Sequence, residues 1–248
     1  MANSFNPADQ EDPVAKQLGV YHSILREDPE NGANWIEYGD FVDEQYEIPD
    51  EVVRAYENAA KLLPKRDLRL RLGSAYVNAG KLDQGFALIK ASVAENPRAH
   101  GFCFLADAYL RLGDFESAGH AAEKAILEDA NFSEGYYLLG EARRKFSREE
   151  AIGYFREAIQ RDEKYALAWQ ALGRELAARD DSIHDAIFAL RKAIELKPDD
   201  GWAMAYLANA LWRTDCIDEA KEWYQLAISV FPESIELKEW YEHFRSSI

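Results

Sequence analysis

The segment Leu72-Gly73-Ser74-Ala75-Tyr76 decides the fold, because a near copy follows it at a fixed distance. Leu105-Ala106-Asp107-Ala108-Tyr109 repeats the pattern 33 residues further along the chain. A large residue followed by Gly or Ala recurs at spacings of 33 to 35 residues, at positions 38–39, 72–73, 105–106, 139–140, 172–173 and 207–208. A period of this length is typical of proteins built from stacked supersecondary units.

Two further series of residues keep the same period. One consists of small residues inside apolar helical patterns, namely Ala59, Ser92, Ala125, Ala158, Ala193 and Ala227. The other consists of prolines at positions 64, 97, 198 and 232, with Ala130 and Glu163 at the two equivalent positions. Small residues let neighbouring helices approach closely, and proline cannot continue a helix. The three series together predict a chain of helix pairs that pack on one another.

The fifth of these units carries a recognisable pattern in Trp169, Leu172-Gly173, Ala186, Ala193 and Pro198. This pattern resembles the tetratricopeptide repeat, whose signature has a large residue, Leu-Gly, and then small residues and proline at these spacings. The resemblance implies an all-α fold, a right-handed α-solenoid of about six helix-turn-helix units. It also implies an N-terminal helix before the units and a C-terminal capping helix after them.

The pattern predicts one folded domain. We expect a flexible acidic N-terminus over residues 1–12 and a single solenoid domain over residues 13–248. The domain begins with a helix at 13–28 and ends with a capping helix at 233–246. The six predicted units lie at 32–65, 66–98, 99–132, 133–165, 166–200 and 201–234.

The charge balance of the chain restricts its partners. Its 248 residues hold 29 Lys and Arg against 45 Asp and Glu, a net charge of -16. Nucleic acid and anionic membranes both favour basic surfaces, so we expect neither as a partner. No secretory signal stands at the start, and no apolar run is long enough to span a bilayer. Cys103 and Cys216 lie far apart, which favours reduced thiols. The expected location is the cytoplasm.

The sequence contains none of the motifs that are typical of catalytic, metal-binding or phosphate-binding sites. The acidic pairs, such as Glu149-Glu150, fall at turns or helix starts, where a carboxylate favours the positive end of the helix dipole. The five histidines show no metal-ligand spacing, and no glycine-rich phosphate motif or nucleophile elbow is present. We therefore predict that the protein is not an enzyme and uses no cofactor or metal.

The resemblance implies that the first helix of each unit lines a concave groove through its positions 2, 5, 9, 12 and 13. In the C-terminal half these positions hold the predicted peptide-binding residues Arg111, Arg144, Lys145, Arg174, Trp202, Asn209, Trp212 and Arg213. At the N-terminal end they hold the acidic residues Asp40, Asp43 and Glu44. Arginine recognises carboxylates in a bidentate manner, and tryptophan often dominates binding energy.

The arginines and the tryptophans each also have a purely structural interpretation. The arginines lie near helix ends, where a cation complements the negative end of the helix dipole. The indoles of Trp202 and Trp212 have an alternative place beneath the capping helix, against Trp240 and Tyr241.

We therefore predict a non-catalytic scaffold or adaptor that binds an acidic or amphipathic partner segment in the C-terminal half of the groove. The alternative is a chaperone or immunity-type partner that sequesters a basic secreted or toxic client through the acidic surface. The clamp by which related co-chaperones hold heat-shock protein tails is absent, since Ile36, Asp40 and Arg71 occupy its positions. Charges at Glu236 and Glu239 favour a monomer over end-to-end stacking.

Overall fold

The computed structural model describes residues 13–45 and 48–247, so the predicted flexible segment 1–12 lies outside it. These ranges contain helices and one short 3-10 turn at Asp180–Ser182, and no strand. The helices are α1 (Pro13–Glu27), α2 (Gly32–Gln45), α3 (Pro49–Leu62), α4 (Arg69–Asn78), α5 (Leu82–Glu95), α6 (Ala99–Leu112), α7 (Phe115–Glu128), α8 (Ser133–Arg143), α9 (Arg148–Arg161), α10 (Ala166–Leu176), α11 (Ile183–Leu196), α12 (Gly201–Arg213), α13 (Ile217–Val230) and α14 (Ile235–Ser246).

Consecutive helices form pairs, and within each of the ranges 13–97 and 98–247 every pair packs on the next one along the chain. The pairs are α2 with α3, α4 with α5, α6 with α7, α8 with α9, α10 with α11, and α12 with α13. The unpaired helix α1 packs on α2, and the last helix α14 packs on α13. The predicted all-α repeat fold is therefore confirmed.

The chain forms two compact units, which divide between Pro97 and Arg98. The described part of the first unit holds α1 to α5, and the second unit holds α6 to α14. The sequence predicts one solenoid domain over residues 13–248, and that single-domain division stays a prediction. The residues of interest in the C-terminal half all belong to the second unit.

Local signals in the sequence explain where several helices begin and end. The side chains of Asp114, Ser147 and Asp200 each accept a hydrogen bond from a backbone N–H in the first turn of the following helix. Such a cap satisfies a donor that has no partner within the helix. Gly113 ends α6 in the left-handed conformation, with a φ of 75°. The side chain of Ser234 accepts a hydrogen bond from the backbone N–H of Leu237, which is why α14 begins at Ile235.

The periodic small residues lie where helices touch. Ala125, Ala158, Ala193 and Ala227 are completely buried in the second helices of their pairs. In the first helix of the fourth pair, a Cβ atom added at Gly140 would lie 2.5 Å from Cε1 of Phe155. The two helices α8 and α9 therefore approach as closely as the small residues allow, which is the packing that the repeat predicts.

Candidate functional site: a polar face on four adjacent helices

The first helices of four successive pairs lie next to each other in the second unit. Helix α6 contacts α8, α8 contacts α10, and α10 contacts α12. Residues spaced by three, four or seven positions share one side of a helix. We call the resulting surface the shared face, and it comprises His100, Cys103 and Asp107 of α6, Glu134, Tyr137 and Glu141 of α8, Leu167, Gln170 and Arg174 of α10, and Trp202, Tyr206 and Asn209 of α12.

Arg174 lies at the centre of the shared face and joins α8 to α10. Its Nη2 donates to Oε1 of Glu141 on α8 at 2.6 Å, and its Nε donates to Oε1 of Glu175 at 3.1 Å. Burial raises the pKa of Tyr206 on α12, and the positive charge of the nearby Arg174 opposes that rise. The side chains of Arg174, Glu141 and Glu175 are only 20%, 13% and 9% exposed. This predicted binding residue is therefore also a structural centre.

Opposing effects act on the charge of Arg174. Burial lowers the pKa of its guanidinium, but the charge of Glu141 and the hydrogen bond to it raise the pKa, and the net shift is upward. The guanidinium therefore stays positive and is neutralised within the protein. Arg148 reaches the other oxygen of Glu175 at 3.3 Å and extends the ion pairs to α9.

The other predicted cations also have partners within the chain. The Nε of Arg111 lies 2.8 Å from Oδ2 of Asp107, one turn earlier on α6. Arg213 donates to the carbonyl oxygen of Ala177 and to the carboxylate of Asp180. These two arginines support the local structure in addition to any contact with a partner.

Arg144 and Lys145 are the cations with donors to spare. Arg144 directly follows α8, and its Nε lies 2.9 Å from Oε2 of Glu141. Its two terminal nitrogens make no hydrogen bond to a described residue. The Nζ of Lys145 lies 5.6 Å from the centre of the Phe115 ring, a cation–π distance, and has no ion pair with a described carboxylate. Both side chains are exposed. Together they place two accessible positive charges just after the C-terminus of α8.

The two predicted tryptophans pack against the last helix. The ring of Trp202 lies edge-on to Trp240 with 6.1 Å between centroids. Trp212 lies edge-on to Phe244 at 5.6 Å. Both side chains are partly buried against α14 and remain partly accessible. Asn209 lies between them on α12 and is partly buried.

The register of the repeat also contains residues that the sequence analysis did not select. Glu134 and Tyr137 occupy positions 2 and 5 of the fourth unit, which are the positions that the resemblance assigns to the groove. Burial raises the pKa of the Glu134 carboxyl, and the negative charge of Asp107 raises it further. Burial and then Glu134 raise the pKa of Tyr165, the residue before α10, well above its usual range. These side chains form an acidic region between α6 and α8.

The predicted acidic end of the groove lies in the first unit. Asp40 accepts a hydrogen bond from the Tyr56 hydroxyl at 2.6 Å and another from Nε of Arg71 at 3.0 Å. Burial raises the pKa of Tyr56, and its bond to Asp40 raises it further. Asp43 and Glu44 are exposed. Asp40 thus connects α2 to α3 and α4, and the two others face solvent.

Features of other kinds of site are few. No cluster of three or more His, Cys, Asp or Glu side chains in the described ranges is arranged to hold a metal ion. Helices in these ranges are too short or too polar to cross a membrane. Cys103 is buried and Cys216 is exposed, and both are free thiols.

Comparisons with known proteins place the repeat in context. Residues 105–166 match the family model described as tetratricopeptide repeat. Among solved structures, a chain of the APC/C hetero-tetramer Cut9-Hcn1 superposes with a TM-score of 0.72 at 16% identity, over 94% of this chain and 46% of that chain. This chain therefore spans less than half the length of that neighbour.

Two shorter neighbours match over most of their own length. TTC0263, a thermophilic TPR protein in Thermus thermophilus, gives a TM-score of 0.61 at 23% identity, over 71% of this chain and 96% of that chain. MamA gives 0.53 at 24% identity, over 65% of this chain and 95% of that chain. At these identities the likeness is one of fold.

Proposed function

We propose that this chain, which has the fold of tetratricopeptide repeat proteins and matches their family model over residues 105–166, is a non-catalytic scaffold or adaptor that binds a segment of another protein on the shared face. The observation that carries the proposal is the state of the polar groups there. Glu134 is partly buried without an ion pair to a described residue, and Arg144 keeps unused donors. A half-buried carboxylate without a counter-ion and an exposed guanidinium with spare donors next to the shared face are both available to a ligand.

The chemistry of the accessible groups favours a guest with a carboxylate at one end. Arg144 and Lys145 lie next to each other at the end of α8, and both are exposed. A guanidinium has five N–H donors in a planar fork that matches a carboxylate. The partly accessible side chains of Trp202 and Trp212 on α12 add apolar surface beyond α10. An acidic or amphipathic segment therefore fits this half of the shared face best.

Reversing the charge at the end of α8 tests this proposal. The full chain is used to select binders from a synthetic library of random ten-residue peptides, and the affinities of the selected peptides are measured. We expect Arg144→Glu combined with Lys145→Glu to weaken acidic binders by at least about tenfold, because charge-assisted hydrogen bonds become repulsions.

A matched control has the same net charge as the test variant. Arg156→Glu combined with Lys221→Glu makes the same charge change at exposed positions of α9 and α13. This control should bind the peptides as the unchanged protein does. Equal loss in both double variants would show a general effect of charge, and equal retention would remove the proposed site.

A second candidate is a chaperone or immunity-type protein that sequesters a basic client. The net charge of -16 and the exposed carboxylates of Asp43 and Glu44 support it. Selection of uniformly basic peptides, with no acidic residue, would favour this candidate over the scaffold.

The remaining features of the proposal follow from charge. The exposed carboxylates of Glu236, Glu239 and Glu242 on α14 oppose end-to-end stacking and favour a monomer. The strong net negative charge opposes binding to nucleic acid or anionic membranes. Two free thiols suit the reducing conditions of the cytoplasm.

A further inference from the structure

We propose that the first unit has a binding surface of its own, at the turn between α3 and α4, for an acidic protein segment that carries apolar side chains. Two adjoining cavities share Pro64, Lys65 and Arg66 of this turn, and we call them together the junction cleft. No residue of the junction cleft belongs to the shared face. The inference is therefore tested separately from the proposed function.

The first argument is the apolar lining of the junction cleft. One cavity has a volume of about 390 Å³ and includes Leu68, Leu72 and Leu88 in its lining. The other cavity has a volume of about 550 Å³ and includes Leu62 and Leu63. Both volumes lie in the range of about 300–1,000 Å³ that is typical of ligand pockets. The junction cleft therefore has room for apolar side chains of a partner.

Hydrogen bonds fix the start of α4 to α5 beside these leucines. Oδ1 of Asp67 accepts from Nε of Arg69 at 2.8 Å, and Oδ2 accepts from Nη2 at the same distance. Ser92 of α5 donates to Asp67 at 3.2 Å, and Arg69 also donates to Glu95 at 2.7 Å. The hydrogen bond from Arg69 holds the pKa of Asp67 well below its usual range. The lining is thus positioned without a partner, and the charge of Asp67 is already neutralised.

The second argument is independent of the lining and comes from the charges around it. Positions 61–71 contain five basic residues and one acidic residue, in a chain whose net charge is -16. Arg71 is paired with Asp40. Lys65 and Arg66 are exposed, and their side chains make no hydrogen bond or ion pair with any described residue. Two such cations beside an apolar cleft favour a partner that is both anionic and apolar.

An acidic protein segment matches these features better than other anions do. A carboxylate fits the planar fork of a guanidinium, and the neighbouring ammonium adds a second positive charge. Because the two cavities adjoin at these cations, the segment carries an apolar residue next to its acidic residue. A small anion such as phosphate would leave the apolar lining unused. Nucleic acid is held by longer rows of cations, and the net charge of the chain opposes it.

A second peptide selection tests the junction cleft. Its bait is the full chain with Arg144→Glu and Lys145→Glu, which removes the accessible cations after α8. We expect this bait to select peptides that have an apolar residue next to an acidic residue. Adding Lys65→Glu and Arg66→Glu should weaken the binding of these peptides at least about tenfold. Replacing the apolar residue of the peptide with serine should weaken binding about tenfold as well, because apolar burial is lost.

A matched control separates the junction cleft from a general effect of charge. Adding Arg156→Glu and Lys221→Glu to the same bait makes the same charge change at exposed positions of α9 and α13, and it should leave the affinity unchanged. The two quadruple variants should also melt at the same temperature, because neither Lys65 nor Arg66 loses a described partner.

Several results would overturn the junction cleft alone. These are selection of no peptide by the bait, equal binding of the peptides to both quadruple variants, and full affinity of peptides without the apolar residue. Displacement of the peptides by a ten-nucleotide RNA would show a general site for polyanions and would overturn it too. The proposed function fails instead when Arg144→Glu with Lys145→Glu leaves the binders of the unchanged protein unaffected.

Discussion

Replacing Arg174 with alanine should lower the free energy of unfolding by about 3–5 kcal/mol, the cost of breaking a buried ion pair by removing one partner. Arg174 neutralises Glu141 and Glu175, whose side chains are 13% and 9% exposed. Without the guanidinium, the largely desolvated Glu141 and Glu175 keep only Arg144 and Arg148 as partners, and both of these cations are more exposed than Arg174. The loss reaches beyond one pair because Arg174 contacts both carboxylates, which lie on two different helices.

Urea unfolding followed by circular dichroism measures this effect, with Arg191→Ala as the control. Arg191 lies 2.7 Å from Glu219, but these side chains are 53% and 39% exposed. Exposed ion pairs contribute about 0–1 kcal/mol, so the control should lose little. Similar small losses in both variants would mean that water, Arg144 and Arg148 stabilise Glu141 and Glu175 without Arg174.

Two glycines of the fourth pair, Gly140 and Gly153, should respond oppositely to replacement by alanine: the first variant loses stability and the second gains it. A Cβ atom at Gly140 would lie 2.5 Å and 2.7 Å from two atoms of the completely buried Phe155 ring. Overpacking of this kind costs about 1–3 kcal/mol. At Gly153, on α9, nothing lies within 4 Å of the added atom. Alanine there should stabilise the helix by about 0.5–1 kcal/mol, because glycine loses more backbone freedom on folding.

Thermal melts of Gly140→Ala and Gly153→Ala, each compared with the unchanged protein, check the pair of predictions. Both variants add one methyl group to a helix of the same pair, so they differ only in what the new atom meets. A stabilised Gly140→Ala would show that α8 and α9 do not approach as closely as described.

The repeat was predictable from the sequence because its period depends on local chemistry. Small residues at one position and proline at the pair ends have the same mechanical effect in every unit, so they recur. Gly140 illustrates this, since its spacing alone indicates a close approach and Phe155 supplies the contact. The residues of the shared face follow from the same register.

The state of those residues was not predictable in the same way. The sequence indicates that Arg174 lies on the shared face, but its bond to Glu141 joins residues 33 positions apart and depends on how neighbouring pairs stack. Likewise, Trp202 has two possible environments in the sequence, and the placement of Trp240 on α14 decides between them. To predict whether a charged side chain of the shared face is paired within the chain, one therefore needs to know which residues of neighbouring helix pairs it contacts.

The most direct test of the central claim is to locate a bound guest by photo-crosslinking. A photoreactive amino acid replaces Leu167, which shares the α10 face with Arg174, or Leu226, an exposed leucine of α13. The probe is the tightest binder from the peptide selection. Crosslinking at position 167 and not at position 226 is the result that we predict. Crosslinking at position 226 with none at 167 would contradict binding on the shared face.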